Sequence, residues 1–183
     1  MCAQKARIAL EEKGQKAIDH IMTLRGDQYE PAYLKLNPNG VVPTLVHNGV
    51  YRCGFAKSQT AYEEAYDGLF ATLDELEERL SRRRYLVGHQ LTEADWRLFP
   101  TLVRFDVAYF SLFKCNKKRI ADYPNLSNYM RELYRVPGIS ATVKPRYYVI
   151  NYYSIAKLNP TGIIPKGTPV DLGQPHDRLR FAA

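Results

Sequence analysis

Cysteine is scarce in this chain. Cys2, Cys53 and Cys115 are the three present in 183 residues, too few and too irregularly spaced for a disulfide framework or a zinc site. The four histidines, His20, His47, His89 and His176, are scattered without ligand spacing, so no metal is expected. No run approaches the ~18 apolar residues that cross a bilayer, and the first residues lack a signal-peptide pattern, so no membrane role is expected. Internal repeats and low-complexity stretches are also missing. Few, unpaired thiols suit a reducing compartment, and a cytoplasmic protein is expected.

What is present is an ordinary globular composition with a basic surplus. Apolar residues make up 45%, charged residues 25%, and the net charge is +7. The basic runs at 82–84 and 117–119 close helices, where cations meet the negative end of the dipole. No aromatic-basic motif accompanies them, so nucleic acid is not expected as a partner. A small anionic ligand suits the charge better.

The densest stretch is 91–119, LTEADWRLFPTLVRFDVAYFSLFKCNKKR. Thr92 is a good N-cap, and Asp95 at the third helical position can reach back to it, a variant of the capping box. Leu98, Leu102, Phe105, Tyr109 and Leu112 recur at helical spacing, widened by Trp96, Phe99, Val103 and Phe113. This predicts a central helix of an all-α domain, kinked near Trp96 by Pro100. Residues 59–80 predict a long helix with Leu69, Leu73, Leu76 and Leu80 inward and Asp74, Glu77 and other acids outward. Further helices are expected at 125–134, 139–143 and 146–156. From 158 onward, repeated proline and glycine predict an extended tail that lies across a partner or folds back.

The N-terminal part reads differently. Residues 3–13 predict a short helix, 16–24 and 41–46 strands, and Asn48-Gly49 a hairpin turn into a strand at 50–52. Residues 54–58 read as a linker. The expected fold class is α+β to mostly α, with domains at 1–53 and 54–156 and a tail at 157–183.

NGVYRCGFAKSQTAYEEA, LDELEERLSRRRYLVG, the 91–126 stretch and LNPTGIIPKG resemble the glutathionyl-hydroquinone reductases, the Xi class of the glutathione transferase superfamily. CAQKARIALEEKG and YEPAYLKLNPNGVVPTLVHNG resemble the thioredoxin-like, glutathione-binding half of a glutathione transferase. The likeness implies an abridged thioredoxin-like part followed by an all-α transferase domain, with glutathione as co-substrate and a homodimer. The strand that opens that half, and the Glu-Ser pair that holds the γ-glutamyl end of glutathione, are expected to be missing.

The resemblance also implies site residues. Cys2, at the start of a helix, would be the nucleophile, where the helix N-terminus favours a thiolate. The family's Cys-Pro-Trp-Ala is not kept, however. An alternative alignment places the nucleophile upstream of Cys2, and a frayed terminal thiol is the remaining alternative. Val42 and Pro43 would hold glutathione, through a cis Val42-Pro43 bond; a trans proline opening a strand is the alternative. Tyr51, Tyr109 and Tyr152 or Tyr153 would line the pocket for a quinone-type ring, packing with the face and donating with the hydroxyl. Burial with a satisfied hydroxyl is the other reading of Tyr109. Cys53 and Cys115 read as small buried residues. Two functions follow: thiol exchange on glutathionyl-hydroquinones, or a catalytically impaired relative that binds an aromatic ligand or a protein partner through its helical domain.

Overall fold

The computed structural model describes residues 46–167 and 170–181. The strand expected at 16–24, residues 41–45 of the strand expected at 41–46, the helix at 3–13, and Cys2, Val42 and Pro43 lie outside it, while Val46 opens a helix. Among the described residues every regular element is a helix.

The first helix, α1 (Val46–Gly54), corrects the hairpin expected at Asn48-Gly49 and the strand after it. Asn-Gly is a local turn preference, and tertiary packing overrides it. Val46, Val50 and Cys53 fall at i, i+4 and i+7 and are all buried, forming one face that packs along the next helix. Gly49 lets the two helices approach, since a Cβ there would lie 3.1 Å from Leu69 Cδ1. Gly54 closes α1, so the expected linker shortens to residues 55–58.

Gly54 meets a harder wall. A Cβ there would sit 2.5 Å, 2.7 Å and 2.9 Å from three ring carbons of Phe113. That ring is fully buried and cannot swing aside, so Gly54→Ala is expected to destabilise the fold by about 1–3 kcal/mol. Thermal unfolding would read it, and an unchanged midpoint would show that α1 can slide away from Phe113.

Helix α2 (Gln59–Arg82) begins where the Ser58 side chain accepts from the Ala61 amide at 3.2 Å. Leu69, Phe70, Leu73 and Leu80 are buried. Its acidic face is only partly a solvated one, a second difference from expectation. Glu77 accepts from the Asn125 and Leu126 amides at 2.9 Å and 2.8 Å, capping helix α5 (Pro124–Tyr134) from outside. Asp74 accepts from the Tyr123 hydroxyl at 2.9 Å. Carboxylates at a helix N-terminus satisfy amides that have no partner within the helix.

The central stretch is not one helix. Helix α3 (Glu93–Arg104) contains Pro100. The departure from α geometry comes later, as a π-helical segment at Phe105–Tyr109, before a short α4 (Phe110–Leu112). The Phe110 amide donates to the Phe105 carbonyl, five residues back. Asp106, inside the π segment, accepts from the Ile120 and Ala121 amides at 2.6 Å and 3.1 Å. Burial pushes the Asp106 carboxyl up from its usual range, and these two amides oppose the shift. Trp96, Leu98, Leu102 and Phe105 are buried in the core as their spacing predicts.

At the head of α3, Asp95 is fully buried. It accepts from the Thr92 amide at 2.8 Å and the Thr92 hydroxyl at 2.9 Å, completing a capping box. It also accepts from the Leu86 amide at 3.0 Å and the Tyr129 hydroxyl at 2.8 Å. One carboxylate thus ties α3 to the preceding loop and to α5.

Two more helices, α6 (Ile139–Thr142) and α7 (Pro145–Tyr153), follow the turn at Gly138. The tail then folds back over α5. Arg135 donates to the Gly173 carbonyl at 2.7 Å, and the Asp177 amide donates to Asn128 Oδ1 at 3.0 Å. Arg178 is fully buried. Its guanidinium donates to the carbonyls of Leu80, Arg83 and Arg84 at the end of α2.

Candidate functional site

Three elements bring three phenols together. Tyr51 comes from α1, Tyr109 ends the π segment, and Tyr152 comes from α7. The Tyr109 and Tyr152 hydroxyls are 2.6 Å apart, and those of Tyr51 and Tyr152 are 3.0 Å apart. Tyr152 is the middle of the chain of hydroxyls. Tyr109 and Tyr152 are buried, whereas Tyr51 is half-buried and reaches toward solvent. A π turn carries one residue more than an α turn and is often found at functional positions. Here it sets the direction from which Tyr109 reaches Tyr152.

Phe113 forms the wall behind the phenols. Its ring centroid is 5.2 Å from those of Tyr51 and Tyr109 and 5.7 Å from that of Tyr152. Tyr109 and Tyr152 themselves meet edge to face at 5.1 Å. Such perpendicular contacts set positive ring edges against negative faces. In front, Asn48, Tyr51, Arg52, Phe55 and Ala61 line an open cleft of ≈ 500 Å³. Phe55 stacks on Tyr51 at 6.0 Å and is partly exposed.

Burial pushes the Tyr109 and Tyr152 phenols well above the usual tyrosine range. They therefore stay protonated at neutral pH and act as hydrogen-bond partners, not as bases. An aromatic ring carrying oxygen atoms is the ligand chemistry this arrangement fits. It can pack on Tyr51 and Phe55, and of the three phenols Tyr51 is the one that borders the cleft, with the buried Tyr109 and Tyr152 hydroxyls behind it.

Of the residues expected from sequence, Tyr51, Tyr109 and Tyr152 come together. Tyr153 is buried apart from them, and its carbonyl accepts from Asn159 Nδ2 at 2.8 Å. Tyr152 is thus the member of the Tyr152–Tyr153 pair at the cluster. Phe55, Arg52 and Asn48 were not singled out as site residues. Asn48 and Arg52 on α1 and Phe55 just after it fall at i, i+4 and i+7, a spacing that reading 46–54 as a helix would have exposed. Among the described residues no group of three or more potential metal ligands gathers, and no helix is long and apolar enough to cross a membrane.

Comparison with known proteins adds the missing half of the picture. Residues 59–132 match the family described as glutathione S-transferase, C-terminal domain, and residues 1–60 match glutathione S-transferase, N-terminal domain. Glutathionyl-hydroquinone reductase YqjG of Escherichia coli is 48% identical over 169 residues, 90% of this chain and 52% of that protein. Glutathionyl-hydroquinone reductase PcpF of Sphingobium chlorophenolicum is 51% identical over 156 residues, 82% of this chain and 49% of that protein. The glutathione-bound structure of YqjG superposes with a TM-score of 0.72 at 44% identity, covering 93% of this chain and 54% of that one. Glutathione transferase Xi 1 from Trametes versicolor gives 0.66 at 48% identity, covering 69% of this chain and 44% of that one. The chain spans about half the length of the curated relatives it matches.

Proposed function

This chain belongs to the glutathione S-transferase family, and from that premise we propose that it uses glutathione to reduce glutathionyl-hydroquinones or related quinones by cysteine thiol exchange. The observation that carries the reading is the convergence of the Tyr51, Tyr109 and Tyr152 hydroxyls beside an open aromatic cleft. The names of the two curated relatives support the same substrate class.

In this reading the thiolate of Cys2 attacks the glutathionyl sulfur of the substrate. The bond from sulfur to the aromatic ring breaks, the ring carbon takes up a proton, and the hydroquinone leaves. Cys2 is then joined to glutathione in a mixed disulfide. A second glutathione thiolate attacks that disulfide, releasing glutathione disulfide and regenerating Cys2. Val42 and Pro43 hold glutathione, and the tyrosines hold the ring. The working unit is a homodimer in the cytoplasm, divided into parts at 1–53, 54–156 and 157–183.

The test is turnover of a glutathionyl-hydroquinone, read by chromatography of the released hydroquinone. Tyr152→Phe deletes the hydroxyl that both other phenols contact. It is expected to lower kcat/KM about tenfold, in line with one or two hydrogen bonds of ~1 kcal/mol each. An unchanged value would remove the tyrosines from the ring site. Cys2→Ser is expected to abolish turnover, and retained activity would remove Cys2 from the reaction.

A second reading rests on a specific observation: the tyrosine cluster is complete within the helical residues. The chain would then bind an aromatic ligand or a protein partner without turning it over. Hydroquinone binding by calorimetry, with no product formed in the presence of glutathione, would favour it.

A further inference from the structure

Helix α1 uses both of its faces. Val46, Val50 and Cys53 are buried along one. Asn48, Tyr51 and Arg52, continued by Phe55 just past the helix, fall at i, i+3, i+4 and i+7. At ~3.6 residues per turn this second stripe lies opposite the first. Its four side chains, with Ala61 from the first turn of α2, line the open cleft.

Among these lining residues Arg52 is the one that carries charge. It is exposed, and its side chain makes no ion pair or hydrogen bond among the described residues. Glu63, the first acid of α2, accepts from Gln59 at 2.7 Å. The last turn of a helix favours a cation in any case, but that preference does not distinguish one ligand from another. The cleft therefore offers two aromatic faces, one amide and one guanidinium with no carboxylate of this chain's described part to answer it.

We propose that Arg52 is a specificity residue of the ring site and selects aromatic substrates that carry a carboxylate on the ring. This rests on the reduction of glutathionyl-hydroquinones proposed above and narrows its substrate class. A planar guanidinium can donate two parallel hydrogen bonds to a carboxylate, a geometry that fixes orientation as well as charge. Tyr51 and Phe55 supply the faces on which the ring packs. Asn48, one turn before Arg52, supplies an amide that can donate to a ring oxygen. The basic surplus of the chain, +7 overall, favours the approach of such an anion.

The experiment uses the full chain and two conjugates that differ in one group, glutathionyl-hydroquinone and glutathionyl-dihydroxybenzoate. The ratio of their kcat/KM values, carboxylated over plain, is compared between wild type and Arg52→Gln. It is expected to fall about fivefold in the variant, the upper range for an ion pair open to water. Calorimetric titration with free hydroquinone and free dihydroxybenzoate, without glutathione, should show the same fall in the ratio of affinities. That binding ratio needs neither Cys2 nor glutathione, so it decides the matter if the two measurements differ. An unchanged ratio would overturn the proposal. So would an equal loss on both ligands, which would assign Arg52 to glutathione's own carboxylates or to the fold. Absence of turnover with either conjugate would strike the reaction proposed above, and the binding ratio would then judge Arg52 alone.

Discussion

Replacing Asp95 with alanine is expected to lower stability by about 3–5 kcal/mol, the largest single-residue effect in the molecule outside the apolar core. The carboxylate is fully buried and accepts four hydrogen bonds. An ordinary exposed N-cap is worth ~1 kcal/mol. Here its loss would also strand the Leu86 amide and the Tyr129 hydroxyl, and each buried donor left unsatisfied costs ~1–3 kcal/mol. At this chain length each kcal/mol lowers the unfolding midpoint by roughly 2–4 °C, so calorimetry should show a drop of about 6–20 °C. Asp95→Asn should recover only part of it. An amide has one acceptor oxygen and brings an NH2 group toward donors already present. A shift of only a degree or two in Asp95→Ala would mean that water enters and replaces the carboxylate.

Arg178→Ala is expected to cost about 2–4 kcal/mol and to release the tail. Three carbonyls at the end of α2 lose their donor, and unsatisfied buried acceptors carry the cost. Glu132, 3.9 Å from the Arg178 Nε, would keep Arg84 as its ion-pair partner, which moderates the loss. Lysine should not rescue the variant, because a single ammonium cannot reproduce a planar fork aimed at several oxygens. Limited proteolysis would read the release directly, as faster cleavage within 170–177. Resistance equal to wild type would show that Leu172 and the contacts to α5 hold the tail without Arg178.

The same tail carries a pH dependence. The Arg178 amide donates to His176 Nδ1 at 3.2 Å, which requires an unprotonated nitrogen. Burial holds His176 below its ordinary value, so the folded chain binds fewer protons there than the unfolded one. The contribution to stability is complete above the unfolded value of ~6.5 and is lost as pH falls through it toward the lower folded value. Tail protection in hydrogen exchange should weaken below that pH. In His176→Gln, whose amide oxygen can accept the same bond, it should not.

Several of these features could be read from the chain and others could not, for physical reasons. The start of α3 was legible because Thr92 and Asp95 act within one turn. The inward residues of α2 and α3 were legible because burial follows a period of 3.6. Tyr51, Tyr109 and Tyr152 were found through family resemblance, since nothing in their spacing brings them together. Helix α1 was misread because Asn48-Gly49 favours a turn locally, while the packing of Val50 and Cys53 decides the outcome. The π segment leaves no mark on the pattern, because one surplus residue does not break an apolar stripe as broad as this one. Asp74, Glu77 and Arg178 look like solvated charges until their partners, some fifty to a hundred residues away, are known.

That last separation orders events in time. The carbonyls that Arg178 caps belong to residues 94 to 98 positions earlier. During synthesis, at ~5–20 residues per second, N-terminal parts can fold while later ones are still to be made. The end of α2 must therefore wait several seconds, through the making of α3 to α7, for its cap. Until residue 178 has left the ribosome those carbonyls face water, and the nascent bundle stays open at one corner.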